Sequence, residues 1–529
     1  MAKHLDAREL FGQFTSNTSL HGVKYVSQSS RGARRYFWVV ALVCMSVLLV
    51  NVVVNQVEKF TSYPFYTVNT LRQTHSLPFP SVTICNSNLF RKSVVIQDPI
   101  MKLTLRAMYD NGPRAPAINF SDPRFALQHT EHDLKKIIET TAHQLESMFR
   151  FCSWMSDEVN CSEYLTPRQT NHGLCYTFNS MDYIKSHGRL NTSFPGELGG
   201  LELTIDIEEH EYFYGLTPAS GIKGSRNVPL QQRSADVPLH RDQGMYSCNM
   251  LQGSRYQEIY LCTEIKVCTA IAEIKVLVHD PHISPNIQNQ GFLVGPGSKV
   301  SASTSITKVK CLPAPYKAMG DEECLDTEAP DFESPLDFCS TYDIQACHME
   351  CASKAAIAEC GCQDVFDHAA NVSYCSIREL IKCYRPSKAK HYRSVKSQQD
   401  CKCLRQCNWN QYDVRLSSGG YPMECDIPQI MEQRNISREY VFKNYLSVSV
   451  FFDQLVFTEI EQVPSYTAVD IVANLGGQLG IFLGASFLTL TEVVEYIVGT
   501  LCMVCYKRKK TLVQNWTADN TEKKPDTSN

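Results

Sequence analysis

Two mostly apolar stretches lie near the ends of the chain, and a long region of mixed polarity separates them. Residues 37–57 form the first stretch, close to the length of about 20 residues that a helix needs to cross a bilayer. The second stretch, residues 466–506, is too long for one straight span, since each helical residue adds about 1.5 Å. It also contains acids, an asparagine and several glycines. The pattern predicts two membrane helices, with a break in the second.

A set of positions in the second stretch recurs every three or four residues, so these positions are predicted to share one face of a helix. The set is Asp470, Asn474, Gly477, Ile481, Gly484, Leu488, Glu492 and Glu495. Gly476, Gly480 and Gly484 also have the spacing by which membrane helices pack, an equally good explanation of the glycines alone. Acids in a membrane segment normally face a bundle interior or a water-filled path. Rings of Glu492 and Glu495 in a symmetric oligomer would attract cations, which predicts an ion pore, although snorkelling near a helix end is the alternative.

Basic residues flank the outer ends of both stretches, with Arg31, Arg34 and Arg35 before the first and residues 507–510 after the second. By the positive-inside rule, both termini are expected in the cytoplasm. The first stretch is too far from the start for an ordinary signal peptide and lacks a cleavage site. The predicted organisation is a cytoplasmic N-terminus at 1–36, an extracellular region at 58–465 and a cytoplasmic tail at 507–529 that is disordered from Thr511.

The cysteines support the same compartments. Of 23 in the chain, Cys44, Cys502 and Cys505 lie in or beside the membrane stretches and the rest lie between them. An even, dense set in a secreted region is typical of a disulfide framework. No metal is predicted, because no set combines the short Cys and His spacings of a closed zinc site. Four glycosylation sequons lie in the same region, at Asn119, Asn191, Asn371 and Asn435.

Other classes of protein fit less well. The formal net charge is −4 without a basic domain, which argues against nucleic acid as a partner. The chain has no P-loop, no HExxH motif and no nucleophile elbow outside the membrane stretch, so neither an enzyme nor a cofactor is predicted. A disulfide-rich receptor or adhesion protein would explain the cysteines and sequons, but not the acids in the second membrane stretch.

Five short motifs occur in order along nearly the whole chain. They are SLHG at 19–22, FPSVTICN at 79–86, CYTFN at 175–179, LPAPY at 312–316 and GAS at 484–486. Each motif is weak alone, but together they resemble those of the degenerin, epithelial sodium channel and acid-sensing ion channel family, the amiloride-sensitive sodium channels.

The resemblance implies a membrane α/β fold with two transmembrane helices per subunit, assembled as a trimer. Between the helices it implies a large disulfide-rich α+β domain with palm, β-ball, finger, thumb and knuckle parts. Local patterns agree, because residues 201–207 alternate as a strand does and residues 344–360 have helical spacing. The expected partners are the lipid bilayer and either identical or related subunits.

The resemblance also implies seven disulfide bonds. They join Cys85 to Cys175, Cys152 to Cys161, Cys324 to Cys407, Cys347 to Cys403, Cys351 to Cys401, Cys360 to Cys383 and Cys362 to Cys375. Six further cysteines depart from the pattern of acid-sensing members, and three more bonds of unknown pairing are expected among them: Cys248, Cys262, Cys268, Cys311, Cys339 and Cys425.

In such channels the Gly-x-Ser sequence forms the selectivity filter, which here is Gly484, Ala485 and Ser486. Small residues let three chains approach closely, and freed backbone carbonyls would face the permeating sodium ion. The resemblance further implies that Gly480 influences amiloride block and that the small Ala473 lets the pore close.

Two sites outside the pore rest on the resemblance. The cytoplasmic motif of Ser19, His21 and Gly22 is expected to affect open probability, although a His-Gly pair alone is more often an ordinary turn. Tyr63 and Tyr316 correspond to an aromatic pair that couples the wrist to the thumb, whereas buried aromatics usually belong to a core.

The sequence does not identify the stimulus that opens the channel. Proton sensing needs histidines or crowded carboxylates, and residues 384–390 are basic where proton-gated relatives are acidic. An insertion at 214–268 carries several arginines and is either a solvated loop or a surface for an extracellular peptide or other factor. Residues 208–211, His75 and residues 321–323 are further candidates for pH sensing.

We therefore expect a sodium-selective, amiloride-sensitive channel of the plasma membrane. It would be ligand-gated by a peptide or another extracellular factor, or constitutively active. Proton gating or proton modulation is the alternative within the channel class.

Overall fold

The computed structural model describes residues 7–28, 32–97, 99, 101–102, 105, 131–170, 172–213, 247–251, 259–263, 273–287, 289–339, 341–367 and 369–521. The chain forms two compact units. The first comprises Met1–Thr67, Pro315–Lys317 and Gln462–Asn529, and the second comprises Val68–Ala314 and Ala318–Glu461. Asn119, Cys268 and most of the insertion at 214–268 lie outside the described residues.

The first unit is mainly helical. Its helices are Ala7–Asn17, Val23–Gln28, Gly32–Thr61, Ala468–Leu483 and Phe487–Thr521. We call Gly32–Thr61 the N-terminal apolar helix, Ala468–Leu483 the first half-helix and Phe487–Thr521 the second half-helix. The N-terminal apolar helix and residues Leu488–Tyr506 of the second half-helix are each long and apolar enough to cross a membrane.

The helix boundaries differ from the expected ones in three respects. The N-terminal apolar helix begins at Gly32 and ends at Thr61, beyond the predicted 37–57 on both sides. The predicted span 466–506 is two helices separated at 484–486, which is the break that its length indicates. The predicted disorder from Thr511 is wrong up to Thr521, because the second half-helix continues through a stretch without glycine or proline to end it.

Short helices and a long one accompany the sheets of the second unit. They are Lys92–Val95, Glu131–Thr141, Leu145–Met148, Cys161–Tyr164, Met181–His187, Ile344–Cys360, Ile377–Glu379, Arg385–Arg393, Val395–Asp400, Ile427–Arg434 and Arg438–Asn444, with a π-helix at Leu380–Tyr384 and 3₁₀ turns at Glu197–Gly199 and Glu209–Glu211. The helix predicted at residues 344–360 is confirmed with the same bounds.

The described strands are β1 Phe65–Gln73, β2 Leu77–Pro78, β3 Ser81–Asn86, β4 Phe149–Trp154, β5 Asp157–Glu158, β6 Leu165–Thr170, β7 Gly173–Phe178, β8 Asn191–Thr192, β9 Leu201–Asp206, β10 Ser247–Leu251, β11 Ile259–Thr263, β12 Ile274–His279, β13 Phe292–Val294, β14 Ser298–Lys310, β15 Asn408–Gly420 and β16 Tyr445–Pro464. A seven-stranded sheet has the order β15-β14-β16-β9-β4-β5, with β1 also paired to β16. A five-stranded sheet has the order β13-β12-β3-β7-β6. Strands β14 and β16 run parallel, and the strand predicted at 201–207 is confirmed as β9.

The two large sheets share one apolar core. Ile84 and Phe178 contribute to it from the five-stranded sheet, and Leu203 and Val448 from the seven-stranded sheet. Phe79, from the second motif, is fully buried between them, and its ring lies 4.6 Å from that of Trp154. The motif around Phe79 therefore joins the sheets, which explains why an aromatic residue stands two residues before β3.

Among the described residues the structure contains seven disulfide bonds, and they are the pairs that the resemblance implies. Four join the helix Ile344–Cys360 and the turn after it to later segments, so they crosslink a part with little core of its own. The expectation of three further bonds is wrong for Cys311, Cys339 and Cys425, which are free in the structure. The backbone register of β10 and β11 places Cys248 opposite Cys262.

Candidate ion pathway

The late apolar segment breaks at residues 484–486 through a glycine. Gly484 follows the first half-helix with φ of +66°, and its N–H donates to Gly480 O at 3.0 Å. The N–H of Ala485 donates back to Leu479 O at 3.2 Å. A left-handed residue after the last turn is a common way to end a helix, and it favours glycine because a Cβ there is strained.

The second half-helix begins with a reciprocal cap. The N–H of Ser486 donates to Thr489 Oγ1 at 2.9 Å, and the N–H of Thr489 lies 3.4 Å from Ser486 Oγ. Thr489 is almost fully buried. Ser486 thus has a local structural function in addition to its predicted place in the filter, because it satisfies amide groups that a helix start leaves free.

The first half-helix also carries a cap at its start. The carboxylate of Asp470 accepts from the N–H of Thr467 at 2.8 Å and from its hydroxyl at 2.6 Å. Four residues later, the Asn474 side-chain amide donates to the Tyr466 hydroxyl at 2.6 Å. Asp470 and Asn474, both predicted pore residues, therefore make hydrogen bonds within this chain that stabilise the start of the first half-helix.

The prediction that one continuous helix face carries all eight positions is wrong, because the break separates them. Asp470 to Ile481 belong to the first half-helix, and Leu488 to Glu495 belong to the second. Ala473 and Gly477 are exposed in the single chain, and a Cβ added at Gly476 or Gly477 would meet no described atom within 4 Å. This side of the first half-helix is thus open for contacts from outside the chain.

The loop that carries the His-Gly motif lies directly against the break. The N–H of His21 donates to Leu483 O at 3.0 Å. A Cβ built on Gly484 would come within 1.9 Å of His21 Nδ1, so the imidazole occupies the space that a larger residue would need. One of the carbonyls that the break frees is therefore bound by the N-terminal loop rather than left for an ion.

Ser19 makes the second set of contacts between this loop and the second half-helix. Its N–H donates to Glu492 Oε2 at 3.0 Å, and its hydroxyl lies 2.6 Å from Thr489 Oγ1. Glu492, predicted to attract cations, anchors the loop in this chain, whereas Glu495 is exposed. The sequence analysis missed Thr489, although its place three residues after Ser486 is a helix-cap spacing.

Aromatic contacts hold the rest of the N-terminal segment. The ring of Phe14 lies 4.8 Å from that of Tyr496 on the second half-helix, and Tyr25 stacks on Trp38 at 4.8 Å. Gly22 has φ of +85°, and a Cβ there would approach Leu42 to 3.2 Å. The His-Gly motif therefore forms a turn, as such a pair alone usually does. This turn packs against the membrane helices.

The predicted aromatic pair is also in contact. The rings of Tyr63 and Tyr316 meet edge to face with centroids 5.4 Å apart. Nearby, the N–H of Ser465 donates to Pro64 O at 2.8 Å, and Lys59 Nζ lies 5.1 Å from the Tyr466 ring centroid. The ends of the N-terminal apolar helix and of the segment before the first half-helix are thereby joined.

Two buried histidines of the second unit were missed by the sequence analysis. His279 Nδ1 lies 2.8 Å from Asp280 O and Nε2 lies 2.9 Å from Thr83 Oγ1. Because a carbonyl only accepts, Nδ1 carries the proton and Nε2 accepts from the threonine. Burial lowers the pKa of His279 to about 4.

The second buried histidine, His143, makes a hydrogen-bond contact with Glu208. Its Nδ1 lies 2.8 Å from Glu208 Oε2, and Nε2 lies 2.8 Å from Asn88 Nδ2. Burial alone would raise the pKa of Glu208, but the contact with His143 lowers it overall. Of the candidates proposed for pH sensing, His75 and residues 321–323 are exposed, whereas Glu208 is buried in this contact.

Another carboxylate, Glu459 on β16, is shared by two basic residues. Arg72 Nε lies 2.6 Å from Glu459 Oε2, and Lys310 Nζ lies 2.8 Å from Oε1. The hydrogen bond from Lys310 is the main cause that lowers the pKa of Glu459. This carboxylate remains ionised through the mildly acidic range.

This chain is similar to known proteins over nearly its whole length. The family model described as "Amiloride-sensitive sodium channel" matches residues 14–496. The chain belongs to the amiloride-sensitive sodium channel family. The family consists of plasma-membrane ion channels rather than enzymes.

Several relatives are similar over most of their length. Acid-sensing ion channel 2 of Homo sapiens is 27% identical over 498 residues, covering 92% of this chain and 85% of the relative. Acid-sensing ion channel 1B of Danio rerio is 26% identical, with 94% of this chain and 78% of the relative covered. Acid-sensing ion channel 1 of Gallus gallus is 25% identical, with 96% and 87% covered.

The positions of the expected glycans are partly described. Asn191, Asn371 and Asn435 are exposed in the second unit. Asn371 and Asn435 both have positive φ, of 62° and 53°, a conformation that asparagine adopts more readily than most residues. All three side chains are accessible to a modifying enzyme.

Proposed function

We propose that three copies of this chain, or of this chain and related subunits, form a sodium-selective, amiloride-sensitive pore in the plasma membrane. The observation that carries the proposal is the interruption of the late apolar segment at Gly484, Ala485 and Ser486. Backbone outside a helix is tolerated in a membrane only where protein or water covers it. Three such interruptions around one axis would form a narrow, polar constriction.

The termini are proposed to be cytoplasmic and the second unit extracellular. Arginines before the first span and the basic run after the second support this orientation. The disulfide bonds of the second unit require an oxidising compartment. With this orientation, the loop of Ser19, His21 and Gly22 reaches the constriction from the cytoplasmic side.

Opening is proposed to follow binding of an extracellular peptide or other factor, or else the channel is constitutively active. Residues 384–390 support this choice, because this segment is basic and lacks the crowded carboxylates that proton sensing requires. The arginines of the insertion at 214–268, which lie outside the described residues, suit an acidic or polar ligand.

Proton gating or proton modulation is the second candidate. The relatives are named acid-sensing ion channels. The neutral, buried His279 supports the same possibility, since its protonation below pH 6.5 would require the site to open.

Voltage clamp of cells that express this chain alone tests the proposal. We expect a current that reverses near the sodium equilibrium potential and that amiloride blocks. Stepping the pH and then applying peptides separates the two gating candidates. Surface-expressed protein that gives no current under any of these stimuli, alone or with a related subunit, would favour a receptor or adhesion protein instead.

A further inference from the structure

One disulfide bond of the second unit has an imidazole beside both of its sulfur atoms. The bond joins Cys351, on the helix Ile344–Cys360, to Cys401. His391 Nε2 lies 3.3 Å from Cys401 Sγ and 3.8 Å from Cys351 Sγ. All three side chains are half-buried, so small solutes can reach them.

The spacing of these atoms is close to that of ligands around a tetrahedral metal ion. Zinc binds sulfur at about 2.3 Å and nitrogen at about 2.0 Å, which places neighbouring ligands roughly 3.5 Å apart. The three ligand atoms here lie within 4.8 Å of one another. Only the two sulfur atoms would have to separate, because a bonded pair cannot supply two thiolates.

We propose that reduction of the Cys351–Cys401 bond converts this cluster into a binding site for Zn²⁺ or a similar borderline divalent cation. Its ligands are the two thiolates and His391 Nε2. The fourth position is open to water or to His348, which lies on the same face of the helix one turn before Cys351. The site is distinct from the ion pathway and does not depend on how the channel opens.

The chemistry balances with a small thiol as the reductant. Two thiol molecules give up two electrons and two protons, the protein S–S bond breaks, and a small-molecule disulfide forms. Each cysteine leaves this step as a thiol. When the cation binds, both thiols release their protons to solvent, and the metal keeps its charge of two.

A neighbouring disulfide provides a matched control. Cys347 lies one turn before Cys351 on the same helix and is bonded to Cys403, two residues after Cys401. Among the described residues, no imidazole makes a hydrogen-bond contact with either sulfur of that bond. If any reduced cysteine pair on this helix could bind the cation, the two pairs would behave alike.

The test uses the full chain purified in detergent, with Co²⁺ as a spectroscopic substitute for zinc. One sample stays oxidised, and the other is reduced with a phosphine that is then removed without air. Absorption from thiolate-to-cobalt charge transfer is followed as Co²⁺ is added. We expect a saturable band in the reduced protein and none in the oxidised protein.

Three variants assign the band. His391→Gln keeps both cysteines, and we expect it to bind Co²⁺ at least about tenfold more weakly. The pair Cys351→Ser with Cys401→Ser should lose the band, whereas Cys347→Ser with Cys403→Ser should keep it. Thermal melting of oxidised His391→Gln checks that this variant is folded.

Three results would overturn the proposal. They are the absence of a band in the reduced wild type, an unchanged affinity in His391→Gln, and a band that survives loss of Cys351 and Cys401. The last two would assign the metal to other reduced cysteines of the chain.

Discussion

The identity of Gly484 is tightly restricted by its surroundings. Its backbone is left-handed, and the imidazole of His21 fills the space where a side chain would begin. Neither restriction is visible in the sequence, where Gly484 is one of several glycines at helix-packing spacing. The GAS motif indicated a filter there, but not that the N-terminal loop would be its neighbour.

We expect Gly484→Ala to abolish most of the current while the protein still reaches the cell surface. The left-handed conformation costs an alanine about 1 kcal/mol or more, and the new methyl group overlaps His21. Current and surface biotinylation measured together check this prediction. Gly476→Ala is the matched control, because a Cβ there meets no described atom within 4 Å.

A second variant separates the overlap from the backbone strain. Adding His21→Ala to Gly484→Ala removes the overlap but not the left-handed conformation, so partial recovery of current is expected. If the double variant gives as little current as Gly484→Ala alone, the overlap with His21 is not the cause of the lost current.

His279 gives the second unit a pH dependence of known sign. Burial lowers its pKa to about 4 from an ordinary value of 6.5, so the unfolded chain takes up a proton at a higher pH than the folded chain does. Stability is therefore complete above pH 6.5 and declines as the pH falls towards 4, by on the order of 3 kcal/mol in total.

We expect His279→Gln to flatten this decline, whatever its effect on stability at pH 7. The check is the change in melting temperature of the detergent-purified chain between pH 7 and pH 4.5. His75→Gln replaces an exposed histidine and should leave the slope as in the wild type. Equal slopes in the wild type and His279→Gln would show that the proton is taken up elsewhere.

At the scale of elements, the late membrane segment is two helices, each with its own cap. Thr467 and Asp470 start the first, and Ser486 and Thr489 start the second. The excess length of the apolar segment predicted a break, and the resemblance of the GAS motif to the family's filter predicted its place. The helix face expected across the break is wrong, because a spacing of three or four residues places side chains on one face only where the helix axis is continuous.

Ala473 lies on the exposed side of the first half-helix, where a partner subunit would pack in the proposed trimer. We expect Ala473→Phe to hold the channel open, since a large ring would keep neighbouring helices apart. Resting amiloride-sensitive current in voltage clamp measures this. Val472→Phe adds the same bulk about 100° around the helix and should leave resting current near the wild-type level.

At the scale of the whole molecule, glycan mapping tests the proposed orientation. Asn191→Gln, Asn371→Gln and Asn435→Gln should each remove one glycosidase-sensitive increment of mass on a denaturing gel. Asn17→Gln should remove none, because the N-terminus is proposed to be cytoplasmic. A glycan on Asn17 would contradict the topology, and with it the side from which the N-terminal loop approaches.

Most of the architecture could be predicted from the sequence, because its signals are local or carried by motifs. Apolar length located the membrane helices, alternation located β9, and helical spacing located the helix Ile344–Cys360. Contacts between segments that are distant in sequence could not be predicted from such local signals. Ser19 and Glu492 each belong to a predicted site, but nothing in the sequence pairs them, and only the fold brings Ser19 N to 3.0 Å from Glu492 Oε2.

Buried polar groups were missed for a related reason. His143 and His279 stand in ordinary surroundings along the chain, and their burial follows from packing between the elements of the second unit. The acidic cluster at 321–323, one of the candidates for pH sensing, is exposed. The composition of a segment shows where ionisable groups are, but the free-energy cost of ionising them depends on their access to solvent.

The hydrogen bonds from Ser19 and His21 to the second half-helix and the break before it also affect how the channel is made. A ribosome completes the loop at residues 18–22 long before it reaches residues 483–492, so the loop waits through nearly all of synthesis for its partners. A chain that stops before residue 483, even one that retains the whole second unit, therefore lacks the acceptors that Ser19 and His21 bind in the complete fold.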